Sequence, residues 1–266
     1  MNAAFAIESI GVVAPGMADW AQARAVLRRE APASDAPASI PAPMRLPAAE
    51  RRRVGVPVRL ALAAAEQIFG ARGVEPRDAR AVFASSGADG DVCHALCDAL
   101  AGSDRQISPT RFTNSVHNAP AGYWAIAAGS TAPASSLCAH DASFGAGLLE
   151  AIGYLADGDA PVALIAYDAP YPFPLSRARP LGPPMAVALL LAANAGPASL
   201  ATVQLEGLGD GAAQPLDDAV LEQLHRSVPA ARSLPLLAAV ARGADARVTL
   251  DLTDGQAMTL RVLPCG

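Results

Sequence analysis

Between residues 138 and 141 the chain places a thiol, an imidazole and a carboxylate side by side, Cys138-Ala139-His140-Asp141, with a second imidazole, His117, upstream. A thiol next to an imidazole can do acyl transfer: the base raises the thiolate fraction and the thiolate attacks a carbonyl. Side chains 138 and 140 point the same way only if an extended strand runs through both, and Asp141 is the sole evident acid to orient the base. The competing reading puts Cys138 in the core, because Leu137 and Ala139 flank it and free cysteine is among the most buried residue types.

Cys93, His94 and Cys97 raise metal chemistry. Yet Cys93, Leu96, Cys97 and Leu100 follow i, i+3, i+4, i+7 spacing, the apolar stripe of a helix, and no second Cys/His pair supplies further ligands. A core stripe and no metal site are therefore expected. The loop Ser86-Gly87-Ala88-Asp89-Gly90-Asp91 follows a strand and opens a helix, as a phosphate loop would. It has no lysine for the phosphates and puts two aspartates where anions would sit.

These residues need elements to hold them. Ala81–Ser85 reads as a short apolar strand, and Ala134–Ala139 and Val162–Ala166 read as uncharged strands without polar alternation, the mark of a sheet buried on both faces. Helix 143–157 between the last two makes a βαβ unit. Met17–Glu30, residues 91–101 and Asp217–Arg226 read as helices, and another starts at Pro57 and ends at Gly70 and Gly73. Met185–Ala192 and Thr202–Glu206 read as strands. Val248, Leu250 and Leu252 alternate into Asp254-Gly255 and out through Met258, Leu260 and Val262, a hairpin pattern. Residues 31–47, with five prolines, form a surface connection.

Of the 266 residues, 52% are apolar and 17% charged, which fits a chain that buries most of its elements. A net charge of -5 gives no footprint for nucleic acid. The apolar start is interrupted by Glu8 and lacks a positive leader, so no signal peptide is expected. The uncharged run 118–139 is broken by Gly, Pro, Ser and Asn, and 185–200 is too short, so no membrane span is expected either. Four cysteines fit a reducing cytoplasm better than a disulfide scaffold.

The stretch ISPTRFTNSVHNAPAGYWAIAAG, followed by STAPASSLCAHDASFGAGLLEAIGYLADGDAPVALIAYD, resembles the centre of β-ketoacyl synthases. There an Asn-x-x-Ala-Gly helix leads through a Gly-x-x-Gly-Pro turn to a strand ending in Thr-Ala-Cys, and the cysteine opens a helix that runs to Gly-Asp-Ala. Laying Asn118, Ala121, Gly122, Gly129 and Pro133 on that pattern brings the nucleophile position onto Asp141. Counting back from Gly158, Asp159 and Ala160 gives Asp141 again. The likeness extends weakly through Leu181–Gly209, covers roughly two thirds of the chain, and does not reach the last 50 or so residues. The two histidine motifs of the family's second half are absent; His94, His117, His140 and His225 sit in other settings.

The resemblance implies an α/β, thiolase-like layered fold in a single domain, 1–266, with a complete first half, 1–197, and a reduced second half, 198–266. Whether the final residues complete a second sheet layer or dock on a partner stays open. An acyl-aspartate would be a labile mixed anhydride, so Asp141 is expected to cap the helix or plug the site, with Ser143 competing for the cap. The chain then resembles the short chain-length-factor type, as in aryl polyene, xanthomonadin-type and other polyketide or fatty-acid-like systems. It would be non-catalytic on its own, without cofactor or metal, paired with an active ketosynthase and reached by an acyl carrier protein through that complex. His117–Ala128 and Ala134–His140 would form the partner interface and acyl channel, with His117, Asn118, Tyr123, Trp124, Ser136, Cys138 and His140 as its residues. Tyr123 and Trp124 would stop the growing chain, or else simply pack beside a core helix. Arg51–Arg53 would be a solvated helix start or a dock for an acidic carrier protein. The alternatives are a thiolase-fold acyltransferase or hydrolase working through Cys138, and a stand-alone homodimeric scaffold.

Overall fold

The computed structural model describes residues 3–70 and 73–265. The N-terminal half runs β1 (Ala3–Val13), α1 (Trp20–Leu27), α2 (Ala48–Arg51), α3 (Val56–Glu66), β2 (Arg80–Ala84), α4 (Gly90–Ala101), α5 (Pro109–Asn114), α6 (Ala119–Ala128) and β3 (Ala134–Leu137). The rest runs α7 (Ser143–Ala156), β4 (Val162–Asp168), α8 (Leu175–Ala178), β5 (Met185–Ala192), β6 (Ala201–Asp210), α9 (Ala219–Ser227), α10 (Leu234–Arg242), β7 (Ala246–Asp251) and β8 (Gln256–Pro264).

All eight strands join one sheet in the order β3-β2-β4-β5-β1-β6-β8-β7. β2 pairs in parallel with both β3 and β4, so the β3–α7–β4 crossover steps over β2. Every later pairing is antiparallel. β4 and β5 are apolar without alternation because both faces are covered. Val82, Leu164, Val187 and Leu189 meet α7 and the C-terminal helices on one face. Phe83, Ile165, Ala188 and Leu190 meet α3 and α6 on the other.

Glu8 does not end the first strand. A register shift between Ile7 and Ser9 accommodates it as a bulge, and its carboxylate accepts the Ser199 hydroxyl. Asp19 caps α1, with Oδ1 accepting from the Gln22 N–H at 2.9 Å, so that helix is shorter than Met17–Glu30. α3 ends at Glu66, before the glycines expected to stop it. Gln67 then locks that end to β1, accepting from Val12 N–H and donating to Val12 O, each at 3.0 Å.

β7 and β8 form the expected hairpin, with Val248 opposite Leu260 and Leu250 opposite Met258, all facing α10. They extend the same sheet through β6 rather than starting a second layer. β3 differs from the expected doubly buried strand. It is an edge strand: Ala134 is exposed and Ser135, Ser136 and Leu137 are only half-buried.

Candidate functional site

The C-terminal ends of β3, β2 and β4 meet at the mouth of α7. β3 stops at Leu137, and a 3-10 turn, His140–Ala142, delivers the chain into the helix. His140 sits at φ 52, a left-handed conformation a β-carbon disfavours. The Ser143 hydroxyl holds the turn from inside, accepting Ala139 N–H at 3.0 Å and donating to His140 O at 2.7 Å. It binds the turn rather than the free N–H groups of α7, and Ala142 at the cap position supplies no side-chain bond.

Asp141 does not cap either. Its Oδ1 accepts from Arg179 Nη2 at 2.6 Å, and Oδ2 lies 3.6 Å from His140 Nδ1. Partial burial works against its charge, but the Arg179 bond and charge, with His140 and Arg232 nearby, outweigh that and hold the carboxyl below its ordinary range. The expected cap is thus an ion pair: the guanidinium from the segment before β5 outcompetes the weaker helix-end dipole. Nothing in the local Arg177-Ala178-Arg179 pattern announces a partner 38 residues away.

Behind this pair lies a more deeply buried carboxylate that sequence reading missed. Asp168, 3% exposed at the end of β4, accepts Ser86 N–H at 2.9 Å, Ser86 Oγ at 2.6 Å, Ser85 Oγ at 3.4 Å and Ala230 N–H at 2.8 Å. Burial raises its pKa to about 6, and those hydrogen bonds restrain the rise. Its signal in the sequence is a carboxylate closing an otherwise apolar strand. Tyr171 lies across the 86–90 loop; a β-carbon on Gly87 or Gly90 would overlap its ring, which explains glycine at both positions. Asp89 caps α4, accepting Val92 N–H at 3.1 Å, so the loop spends its aspartate on its own helix rather than on a phosphate.

Cys138 is exposed, contrary to a core placement. Its thiol donates to Ser86 O at 3.3 Å, while His117 Nε2 bonds the neighbouring carbonyl, Ser85 O, at 3.1 Å. The two side chains thus serve adjacent carbonyl oxygens instead of each other. Cys93 and Cys97 are exposed as well, because their helical stripe faces away from the sheet. Burial and Cys97 push the Cys93 thiol up. Among the described residues no group of three or more His, Cys, Asp or Glu is placed to hold a metal ion.

Tyr123 and Trp124 are both given to the core. Trp124 stacks on Phe69 with centroids 5.5 Å apart, and Tyr123 Oη donates to Asn114 Oδ1 at 2.9 Å. The outer side of α6 is Gly122, Ala125 and Ile126, with Asn118 exposed at its start and His117 and Ser136 half-buried nearby. A helix apolar all round yet covered on one side only is unusual in water.

The one-sheet α/β architecture with an α7 helix opening beside β3 is the thiolase-like layered fold. The chain belongs to the family described as beta-ketoacyl synthase, N-terminal domain, whose model matches residues 18–250 and so reaches well past the motifs of residues 107–168. A chain of the complex of the ketosynthase ApeO with its chain length factor ApeC from Xenorhabdus doucetiae superposes with TM-score 0.70 at 22% identity, covering 97% of this chain and 98% of that one. The ishigamide ketosynthase/chain length factor gives TM-score 0.74 at 14% identity, over 98% and 99% of the two chains. The AntDE:AntF complex, a type II polyketide synthase acyl-carrier protein with its ketosynthase, gives 0.75 at 10%, over 99% and 100%. No curated protein gives a significant sequence match. No helix among the described residues is long and apolar enough to cross a membrane.

Proposed function

We propose that this chain is a non-catalytic ketosynthase-like subunit of the chain-length-factor type. It would pair with an active β-ketoacyl synthase in the cytoplasm and shape polyketide, aryl polyene or fatty-acid-like products made on an acyl carrier protein. The observation that carries this reading is the Asp141–Arg179 ion pair at the mouth of α7, the position the family resemblance assigns to the nucleophile. A carboxylate neutralised there offers no sulfur to accept an acyl chain, and no family histidine stands behind it.

The pairing surface is the open edge of β3 with the outer side of α6. Ile126, 52% exposed, Val116 and Phe112 add apolar area beside unpaired strand hydrogen-bonding groups, a combination that pairing with another chain would satisfy. His117, Asn118, Ser136, Cys138 and His140 then line the joint. Tyr123 and Trp124 act on the channel only by fixing the helix that borders it. In this reading residues 1–197 supply the ketosynthase-like half, and 198–266 add strands to the sheet in place of a full second half.

Co-expression with a neighbouring ketosynthase tests it. The two chains are expected to co-elute as a heterodimer that makes product, with this chain alone inactive. An isolated chain that transfers acyl groups, with loss on Cys138→Ala, would sink the proposal in favour of a Cys138 acyltransferase. Labelling gives a second readout: Cys138 should react with a maleimide in the free chain and be protected in the complex.

A further inference from the structure

α4 carries two thiols that the mouth of α7 does not use. Cys93 and Cys97 stand one helical turn apart, and both are exposed. Asp89 fixes the start of the helix by accepting Val92 N–H at 3.1 Å. Beyond that cap, Gly90 is the only buried residue of α4, and α5 is the helix it packs against. The core leaves the thiol face uncovered.

Residues i and i+4 of a helix hold their β-carbons about 5–6 Å apart on one face. A disulfide needs roughly 3.5–4.5 Å, so these sulfurs cannot join each other unless the turn unwinds. The spacing suits one atom held between them instead. The two thiols also act on each other: after partial burial, the charge of Cys97 and a hydrogen bond with it raise the Cys93 pKa. A cation between two neighbouring thiolates relieves that mutual repulsion. Asp91 and Asp98, exposed on the same helix, add negative charge that draws a cation in.

The donor set selects the ion. Calcium and magnesium want six or more oxygens, and structural zinc wants four ligands. Among the described residues no group of three or more His, Cys, Asp or Glu is gathered to supply them. His94 is adjacent in sequence to Cys93 and so faces another side of the helix. Two sulfurs in line satisfy a soft, closed-shell ion, for which thiolate is the preferred ligand.

We infer that Cys93 and Cys97 form a two-sulfur site for a thiophilic ion of the copper(I) type, clipping one turn of α4. Binding exchanges two S–H protons for two Cu–S bonds; the protons go to solvent, and copper stays in the +1 state. The clip stiffens from outside a helix that little packing holds. It is independent of the subunit reading, since neither thiol belongs to the proposed joint.

The test titrates the full chain, without oxygen, into copper(I) held by the chromogenic chelator bicinchoninate. One equivalent should transfer to the protein, and Cys93→Ser and Cys97→Ser should each weaken transfer about tenfold or more. Cys138→Ser and Cys265→Ser should leave it unchanged. X-ray absorption should show two sulfur neighbours per copper, and amide exchange should slow over residues 93–101 while β4 is unaffected. Both α4 positions are exposed, so each serine variant should match the wild type by circular dichroism. Copper retained by the Cys93→Ser/Cys97→Ser double variant would overturn the inference. Equal losses in all four single variants would mean adventitious thiol binding only, and overturn it too. So would a copper-bridged dimer by gel filtration that takes one sulfur from each chain.

Discussion

Arg179 Nη2 donates to Asp141 Oδ1 at 2.6 Å, so a guanidinium from the segment before β5 closes the mouth of α7. The pair joins two stretches that the sheet alone leaves independent: the β3–α7 turn and the 169–184 connection that also carries Tyr171 over the 86–90 loop. It tethers the two stretches to each other. The side chain of Asp141 is 48% exposed, so water screens much of the attraction.

Restoring the sulfur alone should therefore not restore chemistry. Asp141→Cys would place a thiol beside the Arg179 guanidinium, which favours the thiolate, but neither family histidine motif is in the sequence to assist the carbonyl chemistry that follows. The expected outcome is no acyl-enzyme by mass spectrometry after incubation with an acyl donor. Arg179→Ala and Asp141→Ala should each cost about 1 kcal/mol in urea unfolding, and the double variant little more than either single one.

Asp168 and His225 make opposite contributions to the acid limb of stability. Asp168 has a native pKa near 6, above its unfolded value, so its ionisation disfavours the fold at neutral pH. That contribution is favourable below about pH 4 and is lost as pH rises through 6, a span worth on the order of 3 kcal/mol. His225 is buried, and burial followed by the Arg232 charge lowers its pKa, against support from Glu222. Its native pKa lies below the unfolded value of about 6.5, so the unfolded chain takes up the proton first as pH falls and its contribution to stability declines on acidification. In a pH series of unfolding midpoints, Asp168→Asn should make the loss of stability on acidification steeper, and His225→Gln should make it shallower. Equal slopes for all three proteins would refute both assignments.

Trp124 is a packing residue here, 2% exposed and stacked on Phe69. Trp124→Ala should cost about 3–5 kcal/mol through the cavity it leaves, seen as a lower thermal midpoint of the isolated chain. Trp124→Phe should keep most of the stability. If the ring were instead a chain-length stop, Trp124→Ala would leave the midpoint unchanged and lengthen the product.

The strands with two covered faces were the most legible elements, because β4 and β5 need apolar residues at every position and no helix signal competes. The β7–β8 hairpin was legible for the opposite reason: one covered face enforces alternation, and Asp254-Gly255 provides the turn. β1 was not read as a strand, since Glu8 breaks its pattern and only the bulge and Ser199 reconcile that carboxylate with the sheet. α5 and α10 escaped for lack of contrast: α5 is six residues long, and α10 is buried on nearly every side. The position of Asp141 was legible from motif spacing. Its partner Arg179 was not, because an ion pair spanning 38 residues leaves no local pattern. Cys93 and Cys97 were assigned to the core on the helical spacing of an apolar stripe, and Cys138 on its apolar neighbours and residue type; neither says which way the element faces.

The outer side of α6 gives the sharpest separation of folding from pairing. Ile126 is 52% exposed, and the Trp124–Phe69 stack and the Tyr123–Asn114 bond that seat the helix are made by other residues. A charge there costs the isolated chain little, since exposed helical positions tolerate glutamate and surface changes are usually within about 0.5 kcal/mol. At a closed apolar joint the same carboxylate would be buried without a partner, a penalty of several kcal/mol. Ile126→Glu is therefore expected to leave the thermal midpoint of the free chain within a few degrees while abolishing co-elution with the ketosynthase. Cys138 in the mixture should then label as fast as in the free chain. Co-elution that survives Ile126→Glu would place the joint elsewhere on the molecule and leave the open edge of β3 without its proposed occupant.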